Sequence, residues 1–267
     1  MGGVAMNCSI PDNLKPNKSD EEAKDIILDA IATEKPFAFT KYGDGESMVL
    51  QTLMGRPPEY KAPEPGVWTP SERFKALIPF YRKIITFWGT DTANHMMAVL
   101  RISDPILDSL IHSDLIGVHN GIPEYFMASK LDYKGCSQRI LATLAHPDKL
   151  DDFFQGKNVR LISNQGPRLK DNIQKRTKSK VALTQVPFYS TVAQVRHNLE
   201  LMEDFPEPLV LWGGGAGAKQ TGIYLRDKFG KTCLDMGSML DAWAGERSRR
   251  FYHPKAPWSF MVIPKGG

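Results

Sequence analysis

Short apolar runs, each closed by a small or polar turn and separated from the next by a helix-length stretch, are what most narrows the fold open to this chain. They occur at Phe37–Lys41, at 84–88 before Gly89-Thr90-Asp91, and at Leu115–Val118 before His119-Asn120-Gly121. Further runs lie at 159–162 before Ser163-Asn164-Gln165-Gly166, at 181–186, at Leu209–Trp212 before a glycine run, and at Thr232–Asp235. Strands covered on both faces read as near-continuous apolar runs rather than alternating ones, and helices between them imply parallel crossovers. The expected class is therefore α/β: a single Rossmann-like domain with a mostly parallel sheet flanked by helices.

A length of 267 residues suits one large domain of this kind. Residues 1–20 read as an irregular lead-in, and Ser19-Asp20-Glu21-Glu22 gives a cap-like start to a helix reaching about Thr33. Residues 56–70 form a proline-rich loop, and 246–267 a basic C-terminal segment. A content of 42% hydrophobic and 24% charged residues excludes a disordered chain. No apolar run approaches the roughly 20 residues that span a bilayer. The first residues lack a basic region followed by an apolar core, so no secretory signal is expected. Cys8, Cys136 and Cys233 are widely spaced, which argues against a disulfide framework and a thiolate zinc site and fits a cytoplasmic protein. The net charge of +4 is compatible with anionic substrates and with nucleic acid.

Three segments carry candidate chemistry. The first is Tyr42-Gly43-Asp44-Gly45-Glu46, a tight turn between the 37–41 strand and a helix expected over 47–54. In open α/β sheets, ligands bind at such carboxyl ends. Two carboxylates flanked by glycines form a half-site for a hard divalent cation, which in turn implies a phosphate-bearing substrate. The alternative is structural: Asp-Gly favours turns, and acidic residues favour helix starts.

The second segment runs from Leu209 through Gly213-Gly214-Gly215-Ala216-Gly217 into a helix that Gly230 stops. Backbone N–H groups at such a turn can hold a phosphate. Gly213, Gly215 and Ala218 also fit G-x-G-x-x-A, with Asp235 22 residues after Gly213, close to a dinucleotide fingerprint. Close packing of helix on sheet is the third reading. The third segment is 234–245 followed by Arg247, Arg249 and Arg250, whose guanidinium forks suit a diphosphate or a polyanionic acceptor, or else form a solvated basic face.

Together these segments resemble the GT-D glycosyltransferases. The resemblance rests on Lys41-Tyr42-Gly43-Asp44-Gly45-Glu46 with its D-x-E motif, on 210–216 with the helix after it, and on 234–241 leading to Arg249 and Arg250. Lys41 stands where the family commonly has an arginine, and Ser238 where some members carry a histidine. The resemblance implies a divalent cation, Mn2+ or Mg2+, and a nucleotide-sugar donor such as UDP-glucose. It makes Asp44 and Glu46 the candidates for metal and diphosphate contact. Lys41, Gly43, Gly45, Gly213, Gly214, Gly215, Ser238, Arg249 and Arg250 become candidates for donor binding.

Sugar transfer needs the leaving diphosphate neutralised and the acceptor hydroxyl deprotonated. Asp241 and Asp91 are the candidates for the base. The expected acceptor is a glycan or glycoprotein, or a hydroxymethylated base in nucleic acid. The competing readings are an NAD-linked oxidoreductase built on Gly213, Gly215, Ala218 and Asp235, and a non-catalytic nucleotide-binding module. The six histidines show no compact ligand spacing, and neither a P-loop nor a Gly-x-Ser-x-Gly elbow is present.

Overall fold

A computed structural model describes residues 18–43, 108–118, 135–186, 192–215 and 218–246. Its strands are β1 (Phe37–Lys41), β2 (Leu115–Val118), β3 (Gly135–Ser137), β4 (Val159–Ser163), β5 (Val181–Gln185), β6 (Leu209–Trp212) and β7 (Thr232–Asp235). They form one seven-stranded sheet in the order β3-β2-β1-β7-β6-β4-β5. Every pairing in it is parallel. The helices are α1 (Asp20–Thr33), α2 (Ile140–Leu144), α3 (Leu150–Phe154), α4 (Gly166–Gln174), α5 (Val192–Glu200), α6 (Thr221–Phe229) and α7 (Met239–Trp243).

Successive side chains of a strand point to opposite faces, so both faces of this sheet carry apolar residues. Leu161, Leu209, Leu211 and Leu234 pack with Ile27 of α1, Leu169 of α4 and Trp243 of α7. On the other face, Ile162, Val210, Trp212 and Cys233 pack with Leu199 of α5 and Leu225 of α6. The α/β sandwich expected from the apolar runs is the one observed.

Local signals explain where the elements start and stop. Ser19 caps α1: its hydroxyl accepts the Glu22 N–H at 3.2 Å, and the Glu22 carboxylate accepts the Ser19 N–H at 2.8 Å. This reciprocal pair satisfies two orphan donors of the first turn. Ala23, Ile27, Ala30 and Ile31 then form the helix's buried face. Gly230 ends α6. The run at 84–88 lies outside the described residues. The structure adds β3, a Gly-Cys-Ser strand that pairs with β2 and has no apolar run to announce it.

Chain direction creates the crevices. The connection from β4 leads outward to β5, whereas that from β6 leads back to β7, although β4 and β6 are neighbours. Their following helices lie on opposite faces, α4 on one and α6 on the other. Connections that diverge from adjacent strands leave a gap beyond their carboxyl ends.

Replacing the cap tests the α1 assignment. Ser19→Ala is expected to lower stability by about 1 kcal/mol. Urea denaturation should show a lower midpoint with an unchanged slope.

Candidate functional site

The carboxyl ends of β1, β7 and β6 lie side by side, and a buried charge cluster joins them. Lys219, on the turn before α6, brings its ammonium to 2.6 Å from Asp235 Oδ2 at the end of β7. The two side chains are 5% and 1% exposed, so solvent screens the pair little. The same ammonium donates to the Lys41 carbonyl at the end of β1. It also stands 5.7 Å from the Tyr42 ring centre and 5.8 Å from that of Trp212, which adds a cation–π contribution.

Asp235 is fully engaged inside the protein. Its Oδ2 also accepts the Lys41 N–H at 3.1 Å, and its Oδ1 accepts the Gly237 N–H at 3.1 Å. A buried carboxylate needs this kind of saturation, because desolvation would otherwise outweigh the Coulomb gain. The arrangement fixes both the N–H and the carbonyl of Lys41, directly ahead of Tyr42 and Gly43. Tyr42 is buried, and its hydroxyl shares a hydrogen bond with Ser109.

The turns beyond β6 and β7 touch. A Cβ on Gly213 would lie 2.9 Å from the Gly237 carbonyl oxygen, closer than side chains tolerate. Gly237 itself takes a left-handed φ of +53°, which glycine adopts without penalty. Close packing is therefore one role of this glycine run. The dinucleotide reading loses its acid, since the Asp235 oxygens point to Lys219, Lys41 and Gly237 rather than to a ribose.

Lys41, Gly43, Gly213, Gly214, Gly215, Ser238 and Asp241 all fall at this edge, on strand ends, turns or the start of α7. Asp241, half-buried on α7, accepts a 2.6 Å hydrogen bond from Gln165 Nε2. Gln165 follows β4, so α7 is tied to the far side of the β4–β6 crevice. Nearby, Arg168 pairs with Glu246 at 2.9 Å. Asp44, Gly45, Glu46, Asp91, Arg249 and Arg250 lie outside the described residues.

Lys219 and Gln165 carry no local sequence signal that marks them as part of this edge. A lysine opening a helix reads as solvated, and only the apposition of β7 shows that it is buried. Among the described residues, no group of three or more His, Cys, Asp and Glu could hold a metal ion. Cys136 and Cys233 are buried, which pushes the first thiol up to about 12 and raises the second as well, so neither supplies a nucleophilic thiolate. No helix among the described residues is long and apolar enough to cross a membrane.

The model of the GT-D-like family, described as a GT-D fold-like domain, matches residues 89–243, more than half of the chain. The chain belongs to the GT-D-like family. The match takes in β2 through β7 and α2 through α7 and leaves β1 and the acidic turn outside it. It gives this GT-D-like domain a glycosyltransferase-type fold, in agreement with the seven-stranded α/β sheet. Comparison of the GT-D-like chain with curated proteins and with solved structures finds no match.

Lys219→Met is expected to destabilise the protein by about 3–5 kcal/mol, because it leaves the Asp235 charge buried without its partner. The double variant Lys219→Met/Asp235→Asn should recover part of that loss. A double-mutant cycle by chemical denaturation reads the coupling directly.

Proposed function

We propose that this GT-D-like domain is a metal-dependent glycosyltransferase that moves a sugar from a nucleoside-diphosphate donor, such as UDP-glucose, to a hydroxyl acceptor. The observation that carries the reading is the convergence of the end of β1, which precedes the D-x-E motif in sequence, the glycine turn and the start of α7 on one edge of the sheet. β1 is far in sequence from the other two segments, and strand order makes it their neighbour.

In this reading Asp44 and Glu46 hold the cation. Asp235 is not available to it, because both its oxygens are taken up within the protein. A site of one or two carboxylates completed by substrate phosphates suits Mg2+ or Mn2+. When bound, such an ion neutralises charge on the leaving diphosphate.

The chain's own contributions divide by place. Lys41, Gly43 and Gly45 flank the donor on the β1 side. Gly214 and Gly215 offer backbone N–H groups to phosphate oxygens, while Gly213, whose N–H is held by the Ile162 carbonyl at 3.0 Å, lets the donor approach the turn closely. Ser238 contributes a hydroxyl, and Arg249 and Arg250 add positive charge against the diphosphate. For the base, Asp241 is the better supported of Asp241 and Asp91. Its carboxylate is oriented by Gln165, and a base must be held within hydrogen-bond reach of the acceptor hydroxyl. The acceptor is a glycan or glycoprotein, or a hydroxymethylated base in nucleic acid. Transfer to nucleic acid would weaken steeply with salt, whereas transfer to a free saccharide would not.

A thermal-shift screen of nucleotide sugars with and without Mn2+ tests the donor reading. The productive pair raises the melting temperature of the wild type, because it binds only the folded state. Asp44→Ala and Glu46→Ala are each expected to lose that rise and to lower sugar transfer at least about 100-fold, comparable to deleting one charge-stabilising contact in a transition state. Normal transfer by both variants in Mn2+ would refute the assignment.

A further inference from the structure

A second feature lies one strand further along the same edge. Beyond the ends of β4 and β6, on the face covered by α5 and α6, the structure has an open cleft. Its walls include Ile162, Val186, Leu199 and Trp212, and Gly213 and Gly214 of the glycine turn also line it. We propose that this cleft receives the nucleobase of the donor, a subsite that rests on the donor reading above.

Three observations carry the proposal. The first is chemical. No charged side chain is among the described residues that line the cleft, so it suits neither a diphosphate nor a sugar bearing several hydroxyls. A nucleobase is the part of a nucleotide sugar with two apolar faces and a polar edge. Ligand pockets of this kind are mostly apolar, with a few polar groups that fix orientation.

The second observation is Asn198. Val195, Asn198 and Leu199 line the cleft at the i, i+3, i+4 spacing of one face of α5, and Met202 lines it just past the helix end. In that apolar stripe Asn198 is the single amide. Its side chain has no hydrogen-bond partner among the described residues. A carboxamide offers a donor and an acceptor side by side, matching the adjacent acceptor and N–H on the edge of a base.

The third is position. Gly213 and Gly214 belong both to the cleft and to the turn that packs against Gly237. Only β7 separates β6 from β1, so two strand spacings, roughly 10 Å, lead from the cleft to the end of β1. A base in the cleft thus directs its ribose and diphosphate along the glycine turn toward Lys41 and Gly43.

Calorimetric titration in Mn2+ tests this, with UDP, CDP and GDP as nucleotide probes and inorganic pyrophosphate as the probe without a base. Leu199→Trp, which fills the cleft, is expected to weaken binding of the preferred nucleotide at least tenfold. Asn198→Ala should weaken it severalfold and flatten the preference among the three bases. Both variants should bind pyrophosphate as the wild type does, which also shows that they are folded. If the wild type binds a nucleotide and both variants match it in affinity and preference, the base does not sit here and the donor reading stands. If the wild type binds none of the three nucleotides, the donor reading and the subsite fall together.

Discussion

Lys219 carries its ammonium into a place where water is nearly absent, and everything at the carboxyl edge of the sheet is arranged around that fact. An isolated charge there would be costly, so Asp235 meets it at 2.6 Å and the Lys41 carbonyl takes a further hydrogen bond. Asp235 in turn is completed by two backbone N–H groups. The cluster ties the ends of β1 and β7 to the turn that opens α6. An apolar replacement could fill the same volume at equal or lower free energy. It could not hold both the N–H and the carbonyl of Lys41, and so could not fix the direction in which the chain leaves β1.

Packing and topology share the remaining work. Two apolar layers clamp the sheet, and diverging connections open the β4–β6 crevice without disturbing the core beneath. The glycine run serves both regions. At Gly213 the absent side chain lets the β6 turn lie against the Gly237 carbonyl, and the same turn lines the neighbouring cleft. Asp241 and Gln165 close the far side through a hydrogen bond between α7 and the residues after β4.

Most of the fold was legible because its signals are local. The apolar runs at Leu115–Val118, Leu209–Trp212 and Thr232–Asp235 each became a strand, and Ser19 and Gly230 bound their helices where capping chemistry places them. β3 escaped notice because Gly135-Cys136-Ser137 is a strand by virtue of its pairing with β2 and the burial of Cys136, not by any intrinsic pattern. Strand order was equally hidden, since nothing local says that β7 inserts between β1 and β6. That insertion turns Asp235 from an apparent ribose ligand into the internal partner of Lys219. Among the candidate site residues, the glycines and Asp241 were picked out by their place after strands. Lys219 was missed because burial is a property of its surroundings.

The insertion of β7 also has a temporal side. β1 pairs with β7, Ala38 facing Cys233, across nearly the whole length of the described chain. Contacts of such long range are slow to form, because the intervening chain must first be brought together. As the polypeptide leaves the ribosome, β1 waits with one edge bare until β7, the last of the described strands, arrives. The Lys219–Asp235 joint closes only then, so a nascent or truncated chain without β7 holds β3-β2-β1 and β6-β4-β5 as two unjoined halves.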